Sequence, residues 1–344
     1  MESNVQDHDK EKQGLRLKDV RITLKEGKKR YPAVKGVSLS VIPGRNTGII
    51  GESGCGKSLL CHSILGILSQ ESWETAGEFY YQNLLLAEGR GGGRPGFCGT
   101  YAGFIAQDPA AAFDPRMILK KHFTELAGPL GMKRDQILAR AGVLLKQMGI
   151  QDPEHVLRSY SFQLSGGMLQ RVMIALALIG EPKLLIADEP TTALDATTRM
   201  EILKLLKEMK GLSVLMVSHD LRAVAQIADD IYVMYAGYIV EQGETASVLE
   251  HPAHPYTRGL LASRPSFSKE PIQVMEGYPP GIHQVTEGCP FAPRCRQAED
   301  RCRNQRPELA ECQAGNGGTT PHLARCFRAG IQENDSRGGT GHGK

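Results

Sequence analysis

Short apolar runs alternate with helical segments between residues 15 and 265 of this chain. Residues 37–41 alternate between apolar and polar side chains, as a strand with one buried face does. Three further runs are short and almost wholly apolar, which is typical of strands buried in a parallel sheet: residues 47–50, 184–187 and 213–217.

Helical periodicity fills the segments between these runs. Residues 201–210 place their apolar side chains on one face of a helix, namely Ile202, Leu205, Leu206 and Met209. The pattern is helical throughout residues 117–180, which indicates a helical subdomain inserted into the core. Strands that alternate with helices predict an α/β domain with a mainly parallel sheet.

Composition changes mark the expected boundaries. Residues 1–14 and 331–344 are polar or rich in glycine and charge, so we expect two disordered tails. Residues 15–265 form the predicted α/β domain, and residues 266–330, richer in proline and cysteine, a small second domain. Residues 89–99 are a glycine-rich insertion, for which a surface loop is the default interpretation.

Overall charge and hydropathy exclude several classes of protein. The formal net charge of +3 over 344 residues gives no basic footprint for nucleic acid or an anionic membrane. No apolar run approaches the ~20 residues of a membrane span. The N-terminal segment lacks the apolar core of a signal peptide. We therefore expect a cytoplasmic chain that binds no nucleic acid.

The most informative motif is the sequence Gly-Glu-Ser-Gly-Cys-Gly-Lys-Ser at residues 51–58, between an apolar strand and a predicted helix. In that context the glycines let backbone N–H groups curl around phosphates, and the N-terminus of the helix adds further donors. Lys57 supplies a charge for the outer phosphates, and the Ser58 hydroxyl is suited to bind Mg²⁺. The motif predicts a nucleoside triphosphate site.

Two acidic residues, Asp188 and Glu189, end the apolar run at residues 184–187. A carboxylate at the carboxyl end of a parallel strand emerges where ligands bind. Asp188 is suited to hold Mg²⁺ opposite Ser58, and Glu189 to polarise the water that attacks the γ-phosphate. A solvated turn is the alternative interpretation of the pair.

Residues 164–171 carry a Ser-Gly-Gly sequence at the start of a predicted helix. Ser165 is suited to cap that helix, whose first turn then offers a second phosphate-binding surface. An ordinary capped helix is the alternative.

Taken together, these motifs resemble the ATP-binding subunit of ABC transporters. Six segments match the motifs of that family in order and spacing: residues 51–58 (Walker A), Gln107 (Q-loop), 164–168 (signature), 184–189 (Walker B), Asp195 (D-loop) and His219 (switch histidine). The resemblance implies a P-loop ATPase core with a mainly parallel sheet, an antiparallel β subdomain and an inserted helical subdomain.

The resemblance also implies a set of site residues. Catalysis is expected of Glu189, His219 and Gln107, and Mg²⁺ binding of Ser58, Gln107 and Asp188. ATP contacts are expected of Gly51, Glu52, Ser53, Gly54, Cys55, Gly56, Lys57, Ser58 and Leu59, and across a head-to-tail dimer of Ser165, Gly166, Gly167 and Asp195. For adenine stacking, Tyr31 is the available ring, but the spacing of the family points nearer Leu24.

Within the family, three segments resemble the branch that imports peptides and nickel: residues 166–171, 112–115 and 254–258. Residues 66–68 and the Met-Leu-Gln-Arg of the signature lean towards nickel importers. Cys55 replaces the common serine of the loop, and a thiol beside phosphates predicts sensitivity to alkylation or oxidation.

Of the eight cysteines, five crowd the last fifth of the chain: Cys289, Cys295, Cys302, Cys312 and Cys326. Disulfides are not expected in a cytoplasmic protein. This segment resembles the tail of peptide-importer ATPases, in some of which four cysteines hold an iron–sulfur cluster. The resemblance makes Cys289, Cys295, Cys302 and Cys326 candidate ligands of a [4Fe-4S] cluster or zinc, with Cys312 outside the set. Free thiols packed as small apolar groups are the alternative.

The expected function is an ATPase subunit, with ATP and Mg²⁺ as cofactors, that energises import of peptides, nickel or a nickel chelate. The implied partners are a second, paralogous ATPase subunit, two membrane-spanning permease subunits and an extracytoplasmic binding protein. The chain would then lie at the cytoplasmic face of the inner membrane. The alternatives are an ABC-type ATPase unconnected with transport and an ATP-regulated iron–sulfur redox sensor.

Overall fold

A computed structural model describes residues 14–88, 97–191, 194–263, 275–284, 286–312 and 320–329. Nearly all of the expected tails, and residues 89–96 of the glycine-rich insertion, lie outside these ranges. The strands, in chain order β1 to β12, are Leu15–Glu26, Lys29–Val41, Thr47–Ile50, Trp73–Tyr81, Leu84–Glu88, Ala102–Ile105, Leu184–Asp188, Ser213–Ser218, Asp230–Tyr235, Tyr238–Glu244, Ala310–Glu311 and Leu323–Ala324.

Between the strands lie helices, labelled α1 to α11 in chain order: Lys57–Leu65, Pro109–Ala112, Leu119–Glu125, Arg134–Gln147, Pro153–Arg158, Gly166–Ala177, Ala196–Glu208, Leu221–Ile227, Thr245–Glu250, Pro255–Ala262 and Asp300–Asn304. Short 3-10 turns occur at Ser161–Gln163 and Ala292–Arg294, and residues Phe97–Thr100 form an irregular turn with non-helical backbone angles. The four predicted strands are confirmed, although residues 37–41 are only the end of the longer β2.

Two sheets organise the domain. The larger has the order β11-β12-β10-β9-β3-β8-β7-β6, in which the five strands from β9 to β6 are parallel. The smaller is antiparallel, with the order β2-β1-β4-β5. The sheet that carries the sequence motifs is therefore mixed, and the antiparallel β subdomain implied by the family resemblance is present.

The central strand β3 is buried on both faces, which explains its uninterrupted apolar sequence. Ile49 packs into the core shared with the antiparallel sheet, whereas Ile50 packs into the core beneath the helices. Gly48 lies against α8 so closely that an added Cβ would come within 2.1 Å of Val224 Cγ1. Only glycine lets this helix approach the strand that leads into the phosphate loop.

The predicted helical region contains α3 to α6, which pack around a shared apolar core. The predicted helix at residues 201–210 begins earlier, because Asp195 caps it by accepting a hydrogen bond from Thr198 N at 3.0 Å. A cap is a local polar signal, so a count of apolar positions alone places the start of the helix several residues too late.

The described part of the C-terminal segment extends the larger sheet. Strand β12 pairs antiparallel with β10, and β11 pairs with β12. Phe291 is 3% exposed and belongs to the same apolar core as the parallel strands. The predicted boundary at residues 265–266 therefore separates two parts of the sequence that share a sheet and a core.

Candidate functional site

Four parallel strands deliver the polar residues of the site to one edge of the sheet. Strands β3, β8, β7 and β6 are adjacent, and each is followed by a predicted site segment: residues 51–58 after β3, His219 after β8, Glu189 after β7 and Gln107 after β6. The carboxyl ends of parallel strands share an edge, so segments far apart in sequence meet there.

The loop at residues 51–58 owes its path to glycine. Gly54 and Gly56 have φ values of +80° and +108°. Residues that carry a side chain rarely adopt this backbone conformation. An added Cβ on Gly56 would also lie 2.9 Å from Met234 Cε. Gly56 is the N-cap of α1, so the loop ends at the N-terminus of a helix, where free N–H groups favour anions.

Lys57 lies inside this loop with only 5% of its surface exposed. Its Nζ donates to Gly51 O at 2.8 Å and to Glu52 O at 3.0 Å. These two acceptors are neutral carbonyls, so the loop positions a cation without neutralising it. A buried ammonium held in this way is suited to bind the outer phosphates of a nucleotide.

Ser58 and Asp188 form the expected metal position. Ser58 Oγ donates to Asp188 Oδ1 at 3.0 Å, and His62 Nε2 lies 3.9 Å from Asp188 Oδ2. Burial raises the pKa of Asp188, which is 2% exposed. A hydroxyl and a carboxylate supply the oxygen ligands that Mg²⁺ prefers, so these residues fit the ion.

Glu189 lies between His219 and Gln107, the two other residues from which catalysis is expected. His219 Nδ1 is 3.0 Å from Glu189 Oε2, and Gln107 Nε2 is 3.5 Å from the same oxygen. Glu189 is not glycine but has a φ of +48°, and its N–H donates to Val217 O at 2.8 Å. Such a backbone conformation is uncommon for this residue type and recurs at functional sites.

The structure thus brings Glu189, His219 and Gln107 together, as the family resemblance implies. The contact of Gln107 is with Glu189, and the hydrogen bonds found among the described residues do not join it to Ser58 or Asp188. Its assignment as a Mg²⁺ ligand stays a prediction.

The signature segment is capped and exposed, as expected. Ser165 Oγ accepts from Met168 N at 3.3 Å and caps α6, and Gly166 has open space where a Cβ would be. Asp195 caps α7 and is also exposed, and the Thr198 N–H lowers the pKa of its carboxylate. These exposed N-terminal turns can face another molecule.

Glu52 and Cys55 differ from the rest of the phosphate loop. The Glu52 N–H donates to Tyr256 Oη at 2.8 Å, and its carboxylate pairs with Arg294. Cys55 is 3% exposed, and burial raises the pKa of its thiol. The expected sensitivity of Cys55 to alkylation is therefore not supported, because a buried, protonated thiol is a poor nucleophile.

The two positions considered for adenine stacking are neighbours across a hairpin. Leu24 in β1 pairs directly with Tyr31 in β2. The ring of Tyr31 packs edge-on against His283, with centroids 4.4 Å apart. From sequence spacing alone, Leu24 and Tyr31 are alternative positions for the adenine-stacking residue. The antiparallel pairing of β1 and β2 places them side by side in the β subdomain.

Four C-terminal cysteines converge on one small apolar pocket: Cys289, Cys295, Cys302 and Cys326. Burial raises the pKa of Cys289 to about 11 and also raises that of Cys295 and Cys326. Cys312 packs instead with Ala253 and Ala324. Within the described ranges, no group of three or more His, Cys, Asp or Glu side chains has the arrangement of a metal site, so the thiols as they lie do not fit a metal centre.

Two long-range contacts of the site have no signal in the sequence. Arg199 in α7 donates to Asp220 Oδ2 at 3.0 Å and to Leu194 O at 3.4 Å, which links the segment before α7 to the residue after His219. Arg294 reaches the phosphate loop from 242 residues away. No local periodicity or spacing marks either arginine as a neighbour of the site.

Two family models match the chain. One is described as "ABC transporter" and matches residues 34–192. The other is described as "Oligopeptide/dipeptide transporter, C-terminal region" and matches residues 240–302. The first match includes the phosphate loop, the signature and Glu189, and the second includes three of the five C-terminal cysteines.

Individual proteins agree with these matches. The dipeptide transport ATP-binding protein DppD of Haemophilus influenzae is 38% identical over 305 residues, covering 86% of this chain and 91% of the relative. DppD of Bacillus subtilis is 42% identical over 271 residues, covering 76% and 81%. The dimeric structure of the bacterial ABC transporter cassette MJ0796 is 28% identical with a TM-score of 0.58, covering 67% of this chain and 98% of that one.

Proposed function

The chain belongs to the ATP-binding subunits of ABC transporters, and we propose that it hydrolyses ATP to drive the import of peptides across the cytoplasmic membrane. ATP hydrolysis is the activity of this family, whereas the peptide cargo is inferred from the C-terminal region and from the names of the relatives. Nickel import has no support beyond the short motifs in the sequence.

One observation carries the proposal. The hydroxyl of Ser58 and the carboxylate of Asp188 are 3.0 Å apart, and Glu189, the next residue, contacts His219 at 3.0 Å. A metal position therefore lies directly beside an acid–base pair. This is the arrangement that hydrolysis of a Mg²⁺-bound triphosphate requires.

Each residue then has a distinct role. Lys57 and the loop N–H groups bind the phosphates. Ser58 and Asp188 would hold Mg²⁺, which would supply positive charge to offset that of the phosphate oxygens. Glu189 accepts a proton from the attacking water, and His219 holds the Glu189 carboxylate. His219 would also contact the γ-phosphate, as the family resemblance implies. Gln107 beside Glu189 links the reacting group to the segment that precedes the helical subdomain.

A second ATPase subunit is proposed to complete each site. The exposed N-terminal turn at Ser165, Gly166 and Gly167, together with Asp195, would contact the ATP held by the phosphate loop of the partner. The dimeric form of the related cassette supports this arrangement. Two membrane-spanning permease subunits and an extracytoplasmic binding protein would complete the importer.

The proposed location is peripheral, on the cytoplasmic face of the membrane. Among the residues that the structure describes, no helix combines the length and apolar character needed to cross a bilayer. The proposed contact with the membrane runs through the permease subunits.

Replacing Lys57 tests the ATP site directly. The Lys57→Ala variant should bind ATP at least ten times more weakly than the native chain, because the buried cation inside the loop is lost. Exposed Lys204 in α7 provides the control, since Lys204→Ala removes an equal charge elsewhere. ATP affinity that is unchanged in Lys57→Ala would refute the proposed site.

Uptake experiments test the cargo. A strain without this gene should lose uptake of a labelled dipeptide and retain uptake of radioactive nickel. If the strain instead loses uptake of nickel and retains uptake of the dipeptide, the cargo is nickel. The assignment of the chain as an ATPase would not change.

A metal centre at the four C-terminal cysteines is a separate proposal, supported by their convergence on one pocket. The thiols as they lie in the described ranges do not fit an ion or a [4Fe-4S] cluster, so binding would require them to rearrange. Anaerobic purification followed by iron, sulfide and zinc analysis tests it, and a colourless protein free of metal would dismiss it.

A further inference from the structure

Glu52, the second residue of the phosphate loop, is held by residues from the C-terminal third of the chain. Its N–H donates to Tyr256 Oη at 2.8 Å. Its carboxylate accepts two hydrogen bonds from Arg294, with Nη1 to Oε2 at 2.7 Å and Nη2 to Oε1 at 3.0 Å. Both the backbone and the side chain of one loop residue are therefore fixed from outside the loop.

Arg294 is a rigid partner for this carboxylate. Its side chain is 6% exposed, and Nε donates to Glu276 O at 3.0 Å. Nη1 also donates to Tyr235 Oη at 3.3 Å, and the guanidinium lies 5.8 Å from the ring centroids of Tyr235 and Phe291. The hydrogen bonds to Glu52 raise the pKa of Arg294, which keeps the charge permanent.

A carboxylate is an unfavourable neighbour for a triphosphate. Like charges repel more strongly where protein has displaced water, and the Glu52 side chain is only 25% exposed. When Glu52 is paired with Arg294, the two opposite charges largely cancel, so the pair produces little net electrostatic field at the loop. Both carboxylate oxygens accept hydrogen bonds from the guanidinium. Without Arg294, the same side chain would leave an uncompensated negative charge on the loop that binds ATP.

We propose that Arg294 is a positioning residue of the ATP site, which neutralises Glu52 and fixes the first turn of the phosphate loop. The inference depends on the proposed role of residues 51–58 in binding ATP. It also gives the C-terminal segment a connection to that site, because Arg294 directly precedes Cys295. The Arg294–Glu52 ion pair therefore joins the segment that carries the cysteine pocket to the phosphate loop.

Equilibrium binding of a fluorescent ATP analogue to the purified full-length chain tests this role. Arg294→Gln should weaken binding about tenfold, the effect of roughly one unpaired charge at a partly buried site. Adding Glu52→Gln to that variant should restore affinity to within about threefold of the native chain, because it removes the repulsive charge. A merely structural role of Arg294 would leave the double variant as weak as the single one or weaker.

Arg296 supplies the matched control, since it is a 79% exposed arginine two residues away. Arg296→Gln should leave the affinity within about twofold of native. If Arg294→Gln does not fold, Arg294→Lys is measured instead, with and without Glu52→Gln, and its smaller loss should again disappear in the double variant.

Unchanged affinity in the Arg294 variants, or a loss that persists when residue 52 is neutral, would overturn the inference. The Lys57→Ala result keeps the two hypotheses apart. If Lys57→Ala weakens binding and Arg294→Gln does not, only the role of Arg294 fails. If Lys57→Ala has no effect, the proposed ATP site fails as well.

Discussion

His219 Nδ1 lies 3.0 Å from Glu189 Oε2, although the two residues follow different strands. The contact exists because β7 and β8 are adjacent and parallel, with Asp188 opposite Val217. The Glu189 N–H donates to Val217 O, which fixes the point where the chain leaves β7. Sheet register therefore sets the geometry of the proposed acid–base pair.

Replacing Glu189 should separate binding from hydrolysis. In Glu189→Gln the amide keeps the shape of the side chain but cannot accept the proton, so turnover should fall by about 100-fold or more. ATP affinity should stay within about threefold of native. Steady-state ATPase assays of the assembled transporter and nucleotide binding to the purified chain give the two values. Native turnover in this variant would exclude Glu189 as the base.

The control for Glu189 is Glu208 in α7, whose side chain is 66% exposed and whose partner is Lys204. Glu208→Gln removes the same charge and should leave turnover unchanged.

Replacing His219 by alanine should lower turnover about 100-fold, because the Glu189 carboxylate loses the ring that holds it. ATP binding should change little. Exposed His155 in α5 is the matched control, and His155→Ala should behave as native. Equal losses in the two histidine variants would show that the effect is not specific to the site.

The requirement for Mg²⁺ should increase at acid pH. Burial raises the pKa of Asp188, so its protonated form persists to a higher pH than for an exposed aspartate. As the pH falls, protons compete with Mg²⁺ for this carboxylate, and more Mg²⁺ is needed for half-maximal ATPase activity. Titration of activity with Mg²⁺ between pH 5 and 8 measures the shift. A Mg²⁺ requirement independent of pH over that range would contradict this role.

Protonation of His254 should destabilise the fold at acid pH. Burial lowers its pKa from 6.5 to about 4, and Nδ1 accepts from the Tyr256 N–H at 3.0 Å. A depressed histidine pKa favours the neutral form in the fold, so its contribution to stability is complete above pH 6.5 and is lost as the pH falls towards 4. The free energy of unfolding should fall by about 3 kcal/mol from this residue.

Urea unfolding of native protein and of His254→Asn measures that loss. Asparagine keeps an acceptor for the helix cap and does not titrate, so the variant should have a shallower pH dependence over this range. Identical slopes for the two proteins would exclude His254 as the titrating group.

Local sequence determined the elements that carry the chemistry. The strand before the phosphate loop, the glycines that shape it and the cap at Ser165 are consequences of short-range sterics and hydrogen bonding. Motif order was equally informative, because the carboxyl ends of neighbouring parallel strands must meet. These features follow from the chain itself, so the fold class and the pairing of Ser58 with Asp188 could be anticipated.

Tertiary structure alone decided how the C-terminal segment meets the ATP site. The bonds from Arg294 to Glu52 span 242 residues and join side chains of no distinctive spacing. The convergence of four cysteines on one pocket, and the burial that raises the pKa of Cys55, likewise depend on packing. Periodicity and spacing report on neighbours along the chain, whereas burial and ion pairing depend on which distant surfaces the fold brings into contact.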